Sequence, residues 1–561
     1  MEKISKLIAA IVRSEFGVDL TSSVSISDGE HGDFSTNVAM QIAGRVGASP
    51  RDVAEKIVAK LDLDAEIAGP GFINITVSGR WLNDSLNDEW SEKFGENRDG
   101  AGKTVVVEYP SQNVAKPYSV GHLRPGNQGW AARNLMLATG WRVITDNHLG
   151  DYGAPFGIWV VGFRKFSSPE KLAEGGVYEL GRVYVAMKAE LKEEEKRGEH
   201  TLSDRVQEWL LKLESGDAEA VEYSQKFNEI SLDHIHEVMG RLGISTEHEL
   251  GEAFFAPRGK AEVQNLLDAG IAVKNPDGSI IVHLDEYGIK TPVLLQKSNG
   301  AALYATTDLA TLKYREEQWH PDRVIYAVAA EQKFYFEQLF ALAKKIGIKT
   351  ELIHMWFGLI DQMNKDGTRE KMSSRKGVIL MEELLDQAET TARQNAKSPD
   401  MSDNDIRKIA LGAIKFTDFS KDRRTNILFN WGSMFSLTGF SGPYVQYAAV
   451  RVNKILRDNI ATPPAAISAK YNFEAEREVL KKLIEYPNTI KQAADSLEPH
   501  RVAQFAYDLA RVVNRYYENT PVATAGVDAD TKAARLGLLA KTAQVFAHSL
   551  NILGIEIPER M

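Results

Sequence analysis

The sequence predicts a multi-domain α/β protein, and three observations support this fold class. The chain has 561 residues, which is more than one hydrophobic core normally accommodates. Strand-like apolar runs alternate with helical patterns from 104 to about 385, which favours a Rossmann-type parallel sheet covered by helices. From 400 to 561 the strand patterns give way to long amphipathic helices, which favours an all-helical bundle.

A separate N-terminal α+β domain is predicted at 1–85. Apolar residues from Ile4 to Val12 recur at helical spacing, and the alternating run 72–77 indicates a strand with one polar face. The polar, glycine-containing stretch 83–103 follows and is predicted to be a linker.

The central domain, 104–385, is expected to place its ligand at the carboxyl ends of its parallel strands. A charged and mostly helical stretch, about 165–290, interrupts the alternation and is predicted to be an insertion. The strands predicted for the sheet are 104–108, 142–145, 292–296, 323–328 and 352–357.

Composition excludes some classes of protein and leaves others open. Cysteine is absent, which excludes disulfides and thiolate metal sites and fits a cytoplasmic protein. No apolar run is long enough to cross a membrane, so no membrane partner is expected. The net charge of −10 argues mildly against nucleic-acid binding, but local patches decide such binding. One basic segment, 407–424, is either an RNA-binding patch or a solvated helix face with a basic loop.

The segment 108–156 carries the first candidate site. It reads as a strand, a loop with Lys116, Gly121 and His122, a helix and a second strand. Pro125 predicts that the helix begins beside His122, because proline is tolerated in a first helical turn. Free N–H groups at a helix start bind phosphate, and glycine lets the ligand approach the backbone closely. Without further support, a surface loop with a stray histidine and lysine explains the same residues.

A second basic loop, EKMSSRKG at 370–377, lies some 250 residues downstream of the first. Cations placed around the phosphates of ATP stabilise the negative charge that develops when the α-phosphate is attacked. Two such loops fit a nucleotide that is held from both sides, whereas either one alone would be read as an exposed basic loop.

Both loops resemble the signatures of class I aminoacyl-tRNA synthetases. The stretch NVAKPYSVGHLR at 113–124, continued by NHLGDYGAPFG at 147–157, is similar to the arginyl-tRNA synthetases in particular. The second loop is similar to the motif usually quoted as KMSKS. The resemblance covers nearly the whole chain and is weakest in the insertion. It implies ligation of L-arginine to its tRNA through arginyl-adenylate, with release of AMP and pyrophosphate.

The resemblance also implies roles for residues of the two loops, although two positions depart from the family pattern. Ser119 replaces the first motif histidine, and Ser374 replaces the second lysine of the second motif. In family members that lack this lysine, the lysine upstream of the first motif serves instead, and that residue is Lys116. Lys116, His122 and Lys371 are therefore expected to be catalytic. The ATP-binding residues are expected to be Ser119, Gly121, His122, Lys371, Met372 and Ser373, with Mg²⁺ arriving with ATP and no dedicated metal site.

An acidic pocket is expected to recognise arginine, since carboxylates match the planar guanidinium group. Tyr304 and Asp308 are four residues apart, on one side of a helix turn. Asp308 as a helix N-cap and Tyr304 as a core residue are the structural alternatives. By resemblance, the arginine-binding residues are Glu108, Asn113, Tyr304, Asp308 and Gln332.

The two ends of the chain resemble the RNA-binding parts of the family. The stretch 32–40, which contains Asn37, is similar to a domain that contacts the corner of tRNA. Phe440 to Tyr447 is similar to part of an anticodon-binding bundle, where aromatic and polar side chains stack on and bond single-stranded bases. Ordinary helix packing is the alternative for each. The expected tRNA-binding residues are Asn37, Tyr444, Gln446, Tyr447 and Arg451.

Taken together, the residues and the resemblance predict a cytoplasmic, monomeric arginine–tRNA ligase that uses ATP, L-arginine and the tRNA for arginine. Another class I synthetase is one alternative. A cysteinyl enzyme would need a thiolate zinc site, and a glutamyl enzyme would need basic pocket residues. A non-catalytic RNA-binding relative that keeps the fold is the other alternative, and only Ser119 favours it.

Overall fold

The computed structural model describes residues 1–19, 24–29, 31–298, 303–363, 369–371, 379–396, 400–459, 474–522 and 526–561. These residues form two compact units. Unit 1 comprises 1–97, 396–412 and 435–561, and unit 2 comprises 98–395 and 413–434. Each unit therefore combines separate parts of the chain. The three domains predicted from the sequence divide the chain at other points and stay a prediction.

The N-terminal part of unit 1 is the α+β element that the sequence predicts. An antiparallel sheet has the strand order β1-β2-β4-β3, and the helices pack their apolar faces against it. Ser49 caps α3 by accepting a hydrogen bond from the Asp52 N–H at 3.2 Å. The elements are α1 (Glu2–Phe16), β1 (Ser25–Gly29), β2 (Gly32–Thr36), α2 (Val38–Val46), α3 (Pro50–Val58), β3 (Asp64–Ala68), β4 (Phe72–Thr76) and α4 (Gly79–Glu89).

The predicted linker at 83–103 is wrong in its first half, because it begins inside α4. Leu82 and Leu86 of this helix are fully buried. Beyond the helix, Trp90 and Phe94 stack with their ring centroids 4.4 Å apart, and Phe94 is buried. Of the polar residues that suggested a linker, Asp84 and Asp88 face solvent, whereas Asn83 and Ser85 are buried with the leucines, so polarity alone was misleading here.

The C-terminal part of unit 1 is helical, as predicted. Helices α16, α18 and α19 pack on one another, and α17 packs on α18 and on α4. Arg477 of α17 forms a partly buried ion pair with Asp33 of β2 and joins the two parts of this unit. The helices are α16 (Gly442–Asn459), α17 (Glu474–Ser496), α18 (His500–Asn519) and α19 (Ala529–Ile552), with α14 (Asp403–Asp418) divided between the units.

Unit 2 contains the parallel sheet that the sequence predicts, with the strand order β11-β10-β5-β6. All of its neighbouring strands are parallel. The inner strand β5 is apolar because helices cover both faces of the sheet, and its residues Val105, Val106 and Val107 are fully buried. The strands and the helices that connect them are β5 (Thr104–Glu108), α5 (Leu123–Ala138), β6 (Arg142–Asp146), α11 (Tyr304–Trp319), β10 (Arg323–Tyr326), α12 (Lys333–Lys345) and β11 (Glu351–His354).

The insertion is mostly helical, as predicted, and one core cluster joins α6, α7, α8 and α9. The strand predicted at 292–296 exists, but its assignment to the parallel sheet is wrong. It belongs to a separate antiparallel sheet, β7-β8-β9, since hairpin turns link it to its neighbours. The elements are α6 (Ala154–Phe166), α7 (Pro169–Arg197), α8 (Thr201–Glu214), α9 (Ala218–Leu242), α10 (Glu252–Asp268), β7 (Val273–Lys274), β8 (Ile280–Leu284) and β9 (Ile289–Gln296).

A small sheet with the order β13-β12-β14 completes unit 2. Its strand β14 comes from the 413–434 part of the chain and pairs with β12, which connects this part to the rest of unit 2. The remaining elements are β12 (Ile360–Met363), β13 (Arg369–Lys371), α13 (Met381–Asn395), β14 (Ile427–Phe429) and α15 (Trp431–Met434).

The 413–434 part is also held by a buried ion pair. Arg124 of α5 donates from Nε to Asp418 at 2.9 Å, and its Nη1 donates to the carbonyls of Gly358 and Thr425 at 2.6 and 2.9 Å. Asp418 is fully buried and Lys415 is nearly so. The sequence suggested that the basic segment 407–424 is either an RNA-binding patch or a solvated helix face. Neither description fits Lys415 and Asp418, because both side chains are buried.

Candidate active site

The first motif loop runs from the end of β5 to the start of α5. A short 3-10 turn, Val120–His122, leads directly into α5, for which His122 is the N-cap residue. Pro125 is the third residue of the helix, where a missing N–H costs no intrahelical hydrogen bond. The predicted helix start beside His122 is confirmed.

His122 is uncharged at neutral pH in this setting. Burial and, to a smaller extent, the charge of Lys116 lower the pKa of His122 to about 4, against an opposing hydrogen bond that the Ser119 backbone accepts. The Ser119 hydroxyl lies 3.3 Å from Nδ1, and the Tyr118 ring meets the imidazole edge-on. Ser119 is therefore in contact with His122, the last residue of the first motif.

The chain that follows the second motif pairs with the first motif loop. The Val120 N–H donates to the Ile379 carbonyl at 3.0 Å, and the Met381 N–H donates to the Tyr118 carbonyl at 2.9 Å. Lys371 ends β13, and the predicted ATP-binding residues Met372 and Ser373 lie outside the described residues. The two regions are thus adjacent in the fold although they are far apart in the sequence.

A cavity of about 460 Å³ opens beside Gly121 and His122 at the carboxyl ends of the parallel strands. Its lining combines uncharged residues with three carboxylates, Glu108, Glu252 and Asp308, which we call the acidic wall. Residues from the strand ends, from α10, from α11 and from the start of α12 contribute to it. Its lining includes Glu108, Asn113, Gly121, His122, His148, Glu252, Tyr304, Asp308, Val328, Gln332, Tyr335 and Phe357.

Asp308 sits in the acidic wall and is largely buried. Its helix begins at Tyr304 with Leu303 as N-cap, so the alternative of an N-capping role is wrong. The Tyr335 hydroxyl donates to one carboxylate oxygen, and His148 Nε2 lies 3.4 Å from the other. Burial raises the pKa of Asp308, while His148 and Tyr335 act in the opposite direction.

Glu108 is held in place by an arginine of the protein itself. Arg315 of α11 donates to Glu108 Oε2 and to Asp146 Oδ2, each at 2.7 Å. The Ser111 hydroxyl donates to Glu108 Oε1 at 3.3 Å. One guanidinium group thus faces two carboxylates at the ends of adjacent strands, which leaves an excess of negative charge at this edge of the sheet.

Glu252 is a third cavity carboxylate, and sequence reasoning missed it. Burial raises its pKa to about 8, and the charges of Asp308 and Asp151 act in the same direction. The segment before α10 runs alongside the end of β6, where the Glu252 N–H donates to the Leu149 carbonyl at 2.9 Å. A residue of the insertion therefore reaches the cavity. Only its acidic character at a helix start was visible in the sequence.

The remaining residues predicted for the arginine pocket also line the cavity. Asn113 pairs through its backbone with Gly150, where a side chain would collide with the Asn113 amide. Gln332 ends a 3-10 turn before α12, and Tyr304 is 62% exposed, so it is not a core residue. Lys116 belongs to the first motif loop but is not one of the described residues that line the cavity. Its Nζ lies 5.1 Å from the centre of the Tyr184 ring.

Sequence reasoning also missed His148 and Tyr335, the two partners of Asp308. His148 lies in the stretch NHLGDYGAPFG, two residues after the end of β6, and a polar residue close to a strand end is the signal that could have identified it. Tyr335 lies in the first turn of α12, three residues after Gln332, and nothing in its local sequence singles it out. Among the described residues, no group of three or more His, Asp or Glu side chains has the arrangement of a metal site.

The residues predicted to bind RNA lie in unit 1 and differ in accessibility. Asn37 precedes α2, is half-buried and accepts a hydrogen bond from Gln41 at 2.7 Å. Tyr444 and Tyr447 are half-buried on α16, and Arg451 lies 3.9 Å above the Tyr517 ring.

Gln446, on the same helix, is fully buried. Its amide group donates to the Lys408 and Glu556 carbonyls at 2.9 and 2.8 Å. We therefore assign Gln446 to the packing of unit 1, which was the structural alternative, and not to a surface that faces RNA.

Comparisons with known protein families account for most of the chain. Residues 89–431 match the family model described as tRNA synthetases class I (R), catalytic domain. Residues 2–77 match the arginyl tRNA synthetase N terminal domain, and residues 445–561 match the DALR anticodon binding domain.

Individual relatives and solved structures agree with these matches. The arginine–tRNA ligase of Streptococcus thermophilus is 35% identical over 91% of this chain and 90% of its own length. The arginine–tRNA ligase of Alcanivorax borkumensis is 34% identical over 95% of this chain and 94% of its own length. The fold is similar to that of the Thermus thermophilus arginyl-tRNA synthetase, with a TM-score of 0.83, 21% identity and coverage of 100% of this chain and 99% of the other. The Plasmodium falciparum enzyme gives a TM-score of 0.82 at 21% identity, with 100% and 98% covered.

Proposed function

The chain belongs to the family of class I arginine–tRNA ligases, and on this basis we propose that it joins L-arginine to its tRNA with ATP. The arginine carboxylate attacks the α-phosphorus of ATP, and the bond to the β-phosphate oxygen breaks, which releases pyrophosphate and leaves arginyl-adenylate. A terminal ribose hydroxyl of the tRNA then attacks the arginyl carbonyl, and AMP leaves.

The observation that carries this proposal is the excess of carboxylates in a cavity beside the first motif. Glu108 shares Arg315 with Asp146, and Asp308 lies beside His148 and Tyr335. Burial raises the pKa of Glu252, and the neighbouring charges of Asp308 and Asp151 add to this shift. A ligand that brings a planar cation satisfies these groups, and a guanidinium group does so through paired hydrogen bonds.

The cavity divides into a guanidinium end and an α-carbon end. Asp308 and Glu252 take the guanidinium group, with Tyr304 beside it. The α-amino and carboxylate groups are held by Asn113, by Gln332 and by Glu108 Oε1, the oxygen that accepts from the Ser111 hydroxyl. Because polar partners left unmatched are costly, such a site rejects lysine without an editing step.

ATP occupies the side of the cavity formed by the first motif. Gly121 allows close backbone approach, and the free N–H groups at the start of α5 face the phosphates. Neutral His122, next to Ser119, donates a hydrogen bond to a phosphate oxygen. Lys116 and Lys371 supply positive charge to the leaving pyrophosphate, with Met372 and Ser373 completing the second motif. Mg²⁺ enters bound to ATP, as this ion commonly does.

Amino-acid-dependent exchange of pyrophosphate into ATP tests the activity. We expect exchange with arginine and none with lysine, glutamate or the other amino acids. As in the family, exchange should require tRNA, since the RNA completes the pocket by induced fit. Exchange with glutamate would identify another class I synthetase, and no exchange despite intact tRNA binding would identify a non-catalytic RNA-binding relative.

The affinity for arginine should rise with pH through about 8, because Glu252 must ionise to pair with the guanidinium group. The pKa of Glu252 is raised to about 8, so below that pH the carboxyl group is protonated and neutral. We expect kcat/KM for arginine to fall as the pH drops from about 9 to about 7. Glu252→Gln should bind arginine weakly without this dependence. The same pH dependence in the variant would contradict the role given to Glu252.

The parts of unit 1 are proposed to bind tRNA. The N-terminal element, with Asn37, contacts the corner of the tRNA, and α16 presents Tyr444, Tyr447 and Arg451 to the anticodon. Tyr444 supports this role because its ring lies 5.4 Å from that of Tyr507, which provides an aromatic surface on which bases can stack.

Tyr444→Ala should raise the KM for tRNA by about tenfold to a hundredfold, the loss that corresponds to one stacked base. The KM for arginine should stay unchanged, since Tyr444 does not line the cavity. Tyr444→Phe keeps the ring and serves as the matched control. Equal KM values for tRNA in Tyr444→Ala and in the unmodified protein would remove Tyr444 from the interface.

The protein is further proposed to act as a cytoplasmic monomer. No helix among the described residues is both long and apolar enough to span a membrane. The absence of cysteine fits a reducing compartment. Light scattering should give a mass near 62.3 kDa, the mass of one chain. Twice that mass would indicate a dimer, and recovery of the protein in a membrane fraction would contradict the cytoplasmic location.

A further inference from the structure

Helix α9 of the insertion contacts the first motif loop on both sides of Lys116. The Ser231 hydroxyl accepts a hydrogen bond from the Ala115 N–H at 2.7 Å, and His234 Nε2 accepts one from the Tyr118 N–H at 3.1 Å. Ser231 is fully buried and His234 is 8% exposed. Because the two side chains are three residues apart, they lie on one face of the helix and bracket Lys116 and Pro117.

Helix α7 closes the other side of the same loop. Gly181 faces Pro117, and a side chain there would come within 2.9 Å of the proline ring. The Lys116 ammonium group lies over Tyr184 of the same helix. The loop backbone is therefore enclosed by two helices of the insertion.

The backbone at Ala115 explains why such support is needed. Its φ of 53° lies in the left-handed region, which L-residues with a side chain rarely adopt. Residues in this conformation persist only where their surroundings hold them. The hydrogen bond from the Ala115 N–H to Ser231 acts directly on this residue, one position before Lys116.

The tautomer of His234 is fixed by its surroundings. Because Nε2 accepts from the Tyr118 N–H, the ring proton lies on Nδ1, which is 3.8 Å from a carboxylate oxygen of Glu382. Tyr178 of α7 donates to the other oxygen of Glu382 and so orients it. Burial lowers the pKa of His234, which favours the neutral ring that this acceptor role requires.

We propose that Ser231 and His234 are positioning residues that hold the loop so that Lys116 can reach the leaving pyrophosphate. The inference rests on the role proposed above for Lys116 and gives the insertion a task in arginine activation. Neither residue lines the cavity, so both act through the loop and leave arginine recognition to other groups.

Substitution of each residue in the full-length protein, assayed by tRNA-dependent pyrophosphate exchange, tests the inference. His234→Ala and Ser231→Ala leave a buried N–H without its acceptor, so we expect kcat to fall by about tenfold to a hundredfold. The KM for arginine should change little. His234→Gln, whose side-chain oxygen can accept the same hydrogen bond, should recover most of the loss. The control is His236→Ala on the same helix, where an exposed histidine pairs with Glu249.

The same substitutions in a Lys116→Ala background separate positioning from general destabilisation. If Ser231 and His234 act through Lys116, His234→Ala should cause little further loss once Lys116 is removed. A full multiplicative loss in the double variant would overturn the inference and leave the role of Lys116 intact. An unimpaired rate in Lys116→Ala alone would overturn both. An unimpaired rate in both His234→Ala and Ser231→Ala would overturn the inference alone.

Discussion

Replacing Asp308 by alanine should raise the KM for arginine by roughly a hundredfold to a thousandfold, the scale for truncating one partner of a buried charge pair. The substitution removes the carboxylate that faces the guanidinium group. It also leaves the Tyr335 hydroxyl without its acceptor. The KM for ATP should change little, because Asp308 lies in the acidic wall and the first motif supplies the ATP side.

Asp308→Asn is the informative comparison for this prediction. The amide oxygen can still accept from Tyr335, but the side chain no longer carries a charge. If charge recognition dominates, the asparagine variant should bind arginine almost as poorly as the alanine variant. Steady-state kinetics with arginine and ATP varied in turn would measure both effects. A parallel rise in both KM values would place Asp308 outside the arginine pocket.

Lys116→Ala should slow arginine activation by about 10² to 10³, the range seen when one donor to a transition state is removed. Ser374 stands where the second motif usually has its second lysine, so we expect Lys116 to stabilise more of the charge on the leaving pyrophosphate. Burial and the neighbouring charge of Lys188 lower the pKa of Lys116, and an incoming polyphosphate would oppose that shift. The KM for arginine should stay close to that of the unmodified protein.

Lys188→Ala provides a matched control for Lys116→Ala. Lys188 lies near the same Tyr184 ring on α7, 5.9 Å from its centre, but it is not part of the motif loop. Single-turnover formation of arginyl-adenylate in the presence of tRNA would measure the chemical step. Similar losses in the two lysine variants would mean that general positive charge, and not Lys116 itself, supports the reaction.

Much of the fold was predictable because the relevant signals are local. The four strands of the parallel sheet are short apolar runs, and His122 followed by Pro125 indicated the start of α5. Of the residues predicted for the arginine pocket, Glu108, Asn113 and Gln332 line one cavity because they follow parallel strands whose carboxyl ends meet at the same edge, and Asp308 joins them from the first turns of α11.

What the sequence did not reveal depends on contacts between distant residues. The strand at 292–296 has the apolar pattern of a sheet strand, but only its hairpin partners show which sheet it joins. Glu252 looks like an ordinary acidic residue at a helix start, and its role becomes visible only beside Asp308. Gln446 resembled an RNA-binding residue, although two backbone carbonyls use its amide group.

The buried pair between Arg124 and Asp418 has a consequence for any shortened version of this protein. A stop codon or a protease cut between 395 and 413 removes the strand β14 and the aspartate that neutralises Arg124. A buried cation without its partner costs about 3–5 kcal/mol, a large share of the stability of a typical domain. An expression fragment intended to retain amino-acid activation should therefore extend at least to residue 434, well beyond the last strand of the parallel sheet.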